Sequence, residues 1–279
     1  MSKPLFGPSK VSTAHHARAV LKKFNITKLP LDPRIILQSF GNILLKEEEF
    51  SDEFDGCIFK KDGSALICIN KSIPYETRKN FTIAHELGHF VIPHHNRDFR
   101  CQRSDIDTID SVKVEEAEAN EFATELLMPE DIVLPIVEEG VIGFEIIKSI
   151  ANLCATSLSS SAHRYIKFTS YPAALVVSQN KNIKYVTFSK ELLSHRDNFL
   201  LKGKSLSKNS VAVDYFNDSG KVISSAIKRQ TILPSAWFSS LDSSMADCFE
   251  ESIGFSSLGL VMSLVWIEGK DDEIDLDDY

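Results

Sequence analysis

Residues 78–93 read R-K-N-F-T-I-A-H-E-L-G-H-F-V-I-P and contain the pattern H-E-x-x-H. His85 and His89 are four residues apart, so on an α-helix they lie on one face, one turn apart. Two neutral imidazoles placed in this way suit Zn²⁺, and a catalytic zinc keeps one coordination position for water. Glu86 follows His85 directly, where its carboxylate can take a proton from that water as a general base. The pattern therefore predicts a hydrolytic zinc site.

The sequence around this pattern favours a buried helix. Pro74 suits the first turn of a helix, with Ser72 as a candidate cap. From Tyr75 the chain has no Gly or Pro until Gly88, and Pro93 ends the helix. The alternative is that the two histidines are packed in a core or solvated on a surface, because such a short pattern also occurs by chance.

A third ligand is offered by residues 111–128, which are rich in Ala, Glu and Leu and are followed by Pro129. This composition predicts a helix on which Glu116 interrupts an apolar stripe. A carboxylate there is costly unless it is paired or bound to a metal, so Glu116 is the predicted third ligand. Asn120, one turn further on, is predicted to hydrogen-bond a ligand or the bound water. The other acidic residues of the segment are expected on a solvated face: Glu115, Glu118 and Glu121.

Other candidate ligands lie between the two helices. His94 and His95 are rivals of the H-E-x-x-H histidines, but Pro93 ends the helix and no helical spacing supports them. Cys101 lies on a loop-like segment, and a thiolate is an excellent fourth zinc ligand. If Cys101 bound, it would displace the catalytic water and hold the enzyme inactive. The alternative is a plain free thiol.

Together, A-H-E-L-G-H and the later E-A-E-A-N-E-F-A-T-E-L-L-M-P resemble the two motifs of the ImmA/IrrE family of zinc metallopeptidases. The resemblance covers about residues 30–168. It implies that His85, His89 and Glu116 bind zinc and that Glu86 is the catalytic carboxylate. It also implies cleavage of a helix-turn-helix transcriptional repressor in response to DNA damage, phage, mobile-element or other stress signals.

The chain before the zinc helix is predicted to form two helices and a small sheet. The helices are expected at residues 9–25, with His15 and His16 on the surface, and from Asp32-Pro33 to Gly41. The strands are expected at residues 42–50, 55–60 and 65–70, and Asp62-Gly63 marks a hairpin between the last two. We expect residues 65–70 at the sheet edge, where an extended substrate peptide could pair.

After Pro129 the pattern is helical again, at residues 130–139, 144–153 and 157–168. The last two helices resemble a helix-turn-helix, with Ser157 as a cap. Three residues of the last helix are candidates for stabilising the oxyanion of the tetrahedral intermediate, and the sequence does not choose among them: His163, Arg164 and Tyr165.

Tyr171-Pro172 marks a boundary before a mainly β-type segment. Strands are predicted at residues 173–178, 183–188, 210–216, 221–227 and 258–266, with a helix at 241–250. This pattern is typical of a mixed α/β regulatory domain, of GAF-like type if the family analogy holds. It would bind an activating signal such as single-stranded DNA or a small molecule, or another protein, or nothing.

The predicted fold class is α+β, in four parts. Residues 1–128 are expected to form a zincin-like metallopeptidase domain and residues 129–170 a helical, helix-turn-helix-like segment. The C-terminal GAF-like domain spans residues 171–267, and residues 268–279 form an acidic tail. The tail contributes −6 to a formal net charge of −8, so the rest of the chain is nearly neutral and is not expected to bind nucleic acid generally.

Composition also predicts the compartment. No run reaches the length of a membrane-spanning helix, and residues 1–10 lack the apolar segment of a signal peptide. Five cysteines in no paired spacing argue against a disulfide framework. A cytoplasmic protein with no membrane partner is therefore expected.

Two functions remain open from the sequence. The first is a zinc endopeptidase that cleaves a repressor. The second is a non-proteolytic regulator that binds a repressor or DNA and has a structural or vestigial metal site. The intact H-E-x-x-H favours the first, since a structural zinc site has no use for the Glu. The residue types predict zinc, although manganese or iron would also accept such ligands.

Overall fold

The structure is a computed structural model that describes residues 12–50, 54–95, 99–102, 114–193, 199–200, 202–239 and 246–269. The chain forms two compact units. The N-terminal unit comprises Met1–Val133 and Ile150–Ser160, and the C-terminal unit comprises Leu134–Ser149 and Ser161–Tyr279. The division into four parts predicted from the sequence stays a prediction.

Two helices open the described chain, α1 (Thr13–Lys23) and α2 (Pro33–Phe40). Helix α1 buries Ala17 and Val20 on one face, as its apolar spacing predicts. Helix α2 begins at Asp32, whose carboxylate accepts a hydrogen bond from the Arg34 N–H at 2.9 Å. It ends at Gly41, which has the left-handed φ of 74°. The start and stop signals of α2 in the sequence are confirmed.

The sheet of the N-terminal unit has the order β1-β3-β2-β4, formed by Ile43–Glu48, Phe54–Lys61, Ser64–Asn70 and Phe99–Gln102 for β1 to β4. The hairpin between β2 and β3 is confirmed, with positive φ at Asp62 (48°) and Gly63 (78°). The prediction that residues 65–70 form an edge is wrong. Strand β3 pairs in parallel with β1 and antiparallel with β2, so within the described residues the edges are β1 and β4.

Helix α3 (Glu76–Val91) carries the H-E-x-x-H residues. It begins later than predicted, because Tyr75 is the N-cap residue and contributes no side-chain cap. Ser72 does not cap the helix; its hydroxyl donates to Asn70 Oδ1 at 2.9 Å and helps to form the turn after β3. At the other end Ile92 is extended, as expected for a residue before proline.

Helix α4 (Val114–Leu127) packs directly against α3. At Gly88 an added Cβ would lie 3.1 Å from Phe122 Cδ1, so the glycine lets the two helices approach closely. Large aliphatic and aromatic side chains from α3, α4 and the sheet fill the core of this unit, among them Ile58, Ile67, Ile83, Leu87, Phe122 and Leu126. The metal-binding candidates on α3 and α4 therefore stand on a rigid, packed base.

Three further helices follow, α5 (Glu130–Glu139), α6 (Phe144–Cys154) and α7 (Leu158–Phe168). They match the three helices predicted after Pro129. Ser157 acts as the predicted cap of α7, since its Oγ accepts a hydrogen bond from the Ser160 N–H at 3.1 Å. The helix-turn-helix-like character of α6 and α7 stays a prediction.

The C-terminal unit contains a five-stranded antiparallel sheet in the order β6-β5-β9-β8-β7. Its strands β5 to β9 are Ala173–Gln179, Asn182–Phe188, Lys228–Ile232, Ala246–Phe255 and Leu260–Gly269. Buried aromatic residues pack on this sheet, including Tyr215, Trp237 and Phe238. Helices and sheets together give the described residues the α+β fold predicted from the sequence.

Three predictions in this unit are wrong. The strand predicted at 210–216 is a 3₁₀ helix, Val211–Tyr215, because the buried carboxylate of Glu250 accepts hydrogen bonds from the Val211 and Ala212 N–H groups. The strand predicted at 221–227 does not form there; β7 begins at Lys228. The helix predicted at 241–250 is instead the start of β8 from Ala246 onward, and residues 241–245 lie outside the described part.

The acidic tail predicted at 268–279 lies outside the described residues from position 270. Among the helices that the structure describes, none is both long enough and apolar enough to cross a membrane.

Candidate metal centre

The side chains of His85, His89 and Glu116 converge in the interior of the N-terminal unit. Their ligand atoms lie close together, at 3.1 Å between His85 Nε2 and His89 Nε2. Glu116 Oε2 is 3.1 Å from His85 Nε2 and 3.5 Å from His89 Nε2. Tetrahedral zinc with ligands at about 2.0–2.1 Å separates ligand atoms by roughly 3.3 Å. Donor types and spacing thus both fit Zn²⁺. We call these three residues the inner centre.

The electrostatics of the inner centre also suit a cation. Burial opposes charge on each group, yet the hydrogen bonds with His85 and His89 hold the pKa of Glu116 well below its usual range. For His85, burial lowers the pKa, but the hydrogen bond with Glu116 and the charges of Glu86 and Glu116 outweigh it and the net pKa is raised. Burial lowers the pKa of His89 to about 3. Glu116 is thus favoured as a carboxylate and His89 as a neutral imidazole, which are the forms in which these groups bind a metal ion.

Each imidazole has a hydrogen-bond partner on its other nitrogen. Asn120 Oδ1 lies 2.9 Å from His85 Nδ1, so the amide oxygen accepts the Nδ1–H hydrogen and leaves Nε2 for a metal. This is the position in which the sequence placed Asn120, one turn after Glu116. The corresponding partner of His89 is a residue that the sequence did not single out for this role.

That partner is His95, whose Nδ1 lies 3.0 Å from His89 Nδ1. The ring of His95 is buried, and its Nε2 lies 3.0 Å from Glu118 Oε2. The sequence predicted Glu118 on a solvated face, and this prediction is wrong. Glu118 instead contacts His95 and also His94. A turn closed by the His95 N–H and the Ile92 carbonyl brings the two histidines back toward α4. A pattern of helical spacing cannot detect such a turn.

Glu86 lies next to the inner centre and is fully buried. Gly56, on β2, packs against it so closely that an added Cβ would lie 2.9 Å from Glu86 Oε1 and 2.7 Å from Thr82 Cγ2. The absence of a side chain at position 56 thus makes room for the catalytic candidate. Glycine within a strand is a signal of close approach, and it could have drawn attention to this position.

The other candidate site residues have different surroundings. Cys101 lies in β4, where its backbone pairs with Gly56; its side chain lies outside the described residues, and its role as a fourth ligand stays a prediction. In the C-terminal unit, His163 Nδ1 lies 3.3 Å from Thr187 Oγ1 and its ring stacks on Tyr185.

The remaining two oxyanion candidates also contact residues of the C-terminal unit. The guanidinium of Arg164 lies 4.4 Å from the ring centre of Phe168. The Tyr165 hydroxyl accepts a hydrogen bond from Thr169 at 3.3 Å, and burial raises its pKa. A role of His163, Arg164 or Tyr165 in stabilising an oxyanion stays a prediction.

Among curated proteins, none matches the chain significantly. A solved structure of a Mycobacterium tuberculosis transcriptional regulator is similar in fold, with a TM-score of 0.55 and 14% sequence identity. The similarity covers 91% of this chain and 76% of that one. The family model of Peptidase_M78, described as the IrrE N-terminal-like domain, matches residues 31–164. Residues 31–164 thus resemble a Peptidase_M78 (IrrE N-terminal-like) domain, which confirms the resemblance seen in the two motifs.

Proposed function

We propose that this protein is a zinc-dependent endopeptidase whose metal ligands are His85, His89 and Glu116 and whose general base is Glu86. The observation that carries the proposal is the convergence of three buried ligand atoms within 3.5 Å of one another, on two helices that belong to a metallopeptidase domain. A buried carboxylate beside the histidine pair is the group that peptide hydrolysis needs in addition to the metal.

The reaction requires one proton to be moved twice. Glu86 accepts a proton from the attacking water and then passes it to the leaving nitrogen of the scissile bond. Bound zinc would polarise the scissile carbonyl and lower the pKa of the attacking water. Asn120 holds the ring of His85 in the orientation that directs Nε2 to the metal position.

We further propose a helix-turn-helix transcriptional repressor as the substrate, cleaved under stress, DNA damage or phage infection. The motif resemblance supports this substrate class, and the fold similarity to a transcriptional regulator is compatible with it. The C-terminal unit would receive the activating signal, such as single-stranded DNA or a small molecule. This unit contains none of the three proposed metal ligands, which supports a role distinct from catalysis.

The test compares cleavage of a helix-turn-helix repressor by the wild-type protein and by Glu86→Gln. Glu86→Gln preserves the shape of the side chain but not its basicity, so it should retain bound zinc and lose cleavage by about 10²- to 10⁴-fold. Glu76→Gln is the matched control, since it makes the same change at an exposed position of the same helix. Elemental analysis of the purified proteins identifies the metal, including manganese or iron.

Cleavage by Glu86→Gln at the wild-type rate would end the assignment of the base. Tight repressor binding by both proteins, with no cleavage under any activating condition, would instead support the non-proteolytic regulator. Zinc-dependent cleavage that only Glu86→Gln loses would establish the peptidase.

A further inference from the structure

A second group of metal-ligand types lies at the surface side of the inner centre. Its members are His94, His95 and Glu118, and their ligand atoms all lie within 4.8 Å of one another. Glu118 Oε2 is 2.5 Å from His94 Nε2 and 3.0 Å from His95 Nε2. Two imidazole nitrogens and one carboxylate oxygen repeat the donor set of the inner centre. We propose that this outer cluster is a second site for a zinc-class divalent ion.

Backbone contacts hold His95 in place. The ammonium group of Lys60 donates hydrogen bonds to the carbonyl oxygens of His89, at 2.5 Å, and of His95. Together with the turn between Ile92 and His95, these contacts attach the end of α3 to strand β2. These contacts position His95, and helix α4 positions Glu118, which reduces the ordering that metal binding would require.

Exposure differs between the two sites, and this sets their expected affinities. The three residues of the inner centre are buried, whereas in the outer cluster the side chain of His94 is 54% exposed. Solvent can therefore complete the coordination of an ion at the outer cluster and can exchange with it. We expect the outer ion to bind more weakly than the inner one and to leave more readily.

The two sites are linked by the contact between His89 Nδ1 and His95 Nδ1. A neutral imidazole carries one N–H hydrogen. When Nε2 of His89 binds a metal, the hydrogen of the His89 ring is on Nδ1. His89 can donate this hydrogen to His95 Nδ1 only if the hydrogen of the His95 ring is on Nε2. A metal on Nε2 of His95 moves that hydrogen to Nδ1, where the two N–H groups face each other. Occupancy of the outer cluster therefore opposes metal binding at the inner centre.

This link predicts that excess zinc inhibits the enzyme. The inhibition rests on the proposed peptidase function, whereas binding at the outer cluster does not. Metal counting therefore comes first, because it separates the two.

The full-length protein is dialysed against Zn²⁺ over a range of free concentrations, and zinc per chain is measured by elemental analysis. Wild type should bind two ions, one tightly and one weakly. His94→Ala and Glu118→Gln should each lose only the weak ion, and His85→Ala only the tight one. Glu115→Gln removes the same charge from the same helix and should keep both ions. Circular dichroism checks that each variant is folded.

Uptake of a single ion by wild type would overturn the second site. So would a weak ion that persists in both His94→Ala and Glu118→Gln, because that ion would bind elsewhere. Loss of the weak ion in Glu115→Gln as well would mean that the ion responds to local charge and not to Glu118 as a ligand. This result would also overturn the second site. A missing tight ion alongside an intact weak one would instead count against the proposed function.

Discussion

Asn120 and His95 each contact one imidazole of the inner centre on the ring nitrogen that points away from the metal position. The distances are 2.9 Å from Asn120 Oδ1 to His85 Nδ1 and 3.0 Å from His95 Nδ1 to His89 Nδ1. Such contacts fix which ring nitrogen carries the hydrogen and how the ring is oriented. Mutation of a group in this position typically costs about 10- to 100-fold in metal affinity or activity. We therefore expect the inner centre to depend on residues beyond its three proposed ligands.

Asn120→Ala should lower the zinc affinity of the inner centre by about 10- to 100-fold, because His85 loses the acceptor that orients it. Competition with a chelator measures this affinity directly. Thr124→Ala is the control, since Thr124 lies one turn further on the same helix. Its hydroxyl donates a hydrogen bond to the backbone carbonyl of Asn120, not to the Asn120 side chain. Equal affinity in wild type and Asn120→Ala would remove Asn120 from the site.

Gly56→Ala should reduce cleavage without removing zinc. The added methyl group would lie 2.7 Å from Thr82 Cγ2 and 2.9 Å from Glu86 Oε1, so Glu86 or the strand must move. A displacement of about 1 Å at a catalytic group can cost on the order of 10²-fold in rate. The measurements are cleavage rate and zinc content.

The control for this substitution is Gly269→Ala, where an added methyl group meets nothing within 4 Å. Unchanged cleavage by Gly56→Ala would mean that the packing of β2 does not position Glu86.

Helix α3 is attached to β2 by a buried ion pair. Asp55 is fully buried, and its Oδ2 accepts from Arg78 Nε at 2.6 Å. The pair fixes the first turns of the helix that carries the H-E-x-x-H residues.

Asp55→Ala leaves Arg78 without this buried partner and should destabilise the N-terminal unit by about 3 kcal/mol, at the lower end for a broken buried pair because Arg78 is partly exposed. Urea unfolding followed by circular dichroism measures the loss. Glu76→Gln, which weakens an exposed pair with Arg34, should cost less than about 1 kcal/mol. Similar losses in the two variants would show that the buried pair contributes little.

Most elements of the N-terminal unit could be predicted from sequence, because their signals are local. Asp32, Gly41 and the Asp62-Gly63 turn each act through the backbone within a few residues. The wrong predictions lie where a group distant in sequence decides the conformation, as in the C-terminal unit. Residues 211–215 form a 3₁₀ helix because of a carboxylate 39 positions away from Val211, and no local pattern contains that contact.

At the scale of the whole molecule, the two units can be observed separately. The chain has two tryptophans, Trp237 and Trp266, and both are buried in the C-terminal unit. Tryptophan fluorescence therefore reports the unfolding of this unit alone. The same unit contains His163, whose pKa is lowered to about 4 by burial.

The low pKa of His163 predicts acid sensitivity of the C-terminal unit. As the pH falls below about 6.5, His163 gains a proton in the unfolded chain but not in the folded one until near pH 4, so stability is lost across this window. Between pH 7 and 5 the loss should be about 1–2 kcal/mol, after allowance for partial exposure. Urea unfolding by tryptophan fluorescence at both pH values measures it.

His163→Gln cannot titrate and should show a smaller loss over the same range. His15→Gln, at an exposed position of α1, should behave like wild type. An identical pH dependence in His163→Gln and wild type would assign the acid sensitivity to other groups.

The sequence alone determined that His85 and His89 share one helix face and that Glu116 interrupts an apolar stripe, because helical periodicity is a property of the local chain. Only the tertiary structure decided which groups surround them. Gly56 meets Glu86, and His95 meets Glu118 across 23 residues, through the packing of separate elements. Strand β3 became central rather than an edge because β1, which precedes it in the chain, pairs in parallel on its free side. Contacts between distant segments depend on how the whole core packs, and a linear pattern carries no record of that packing.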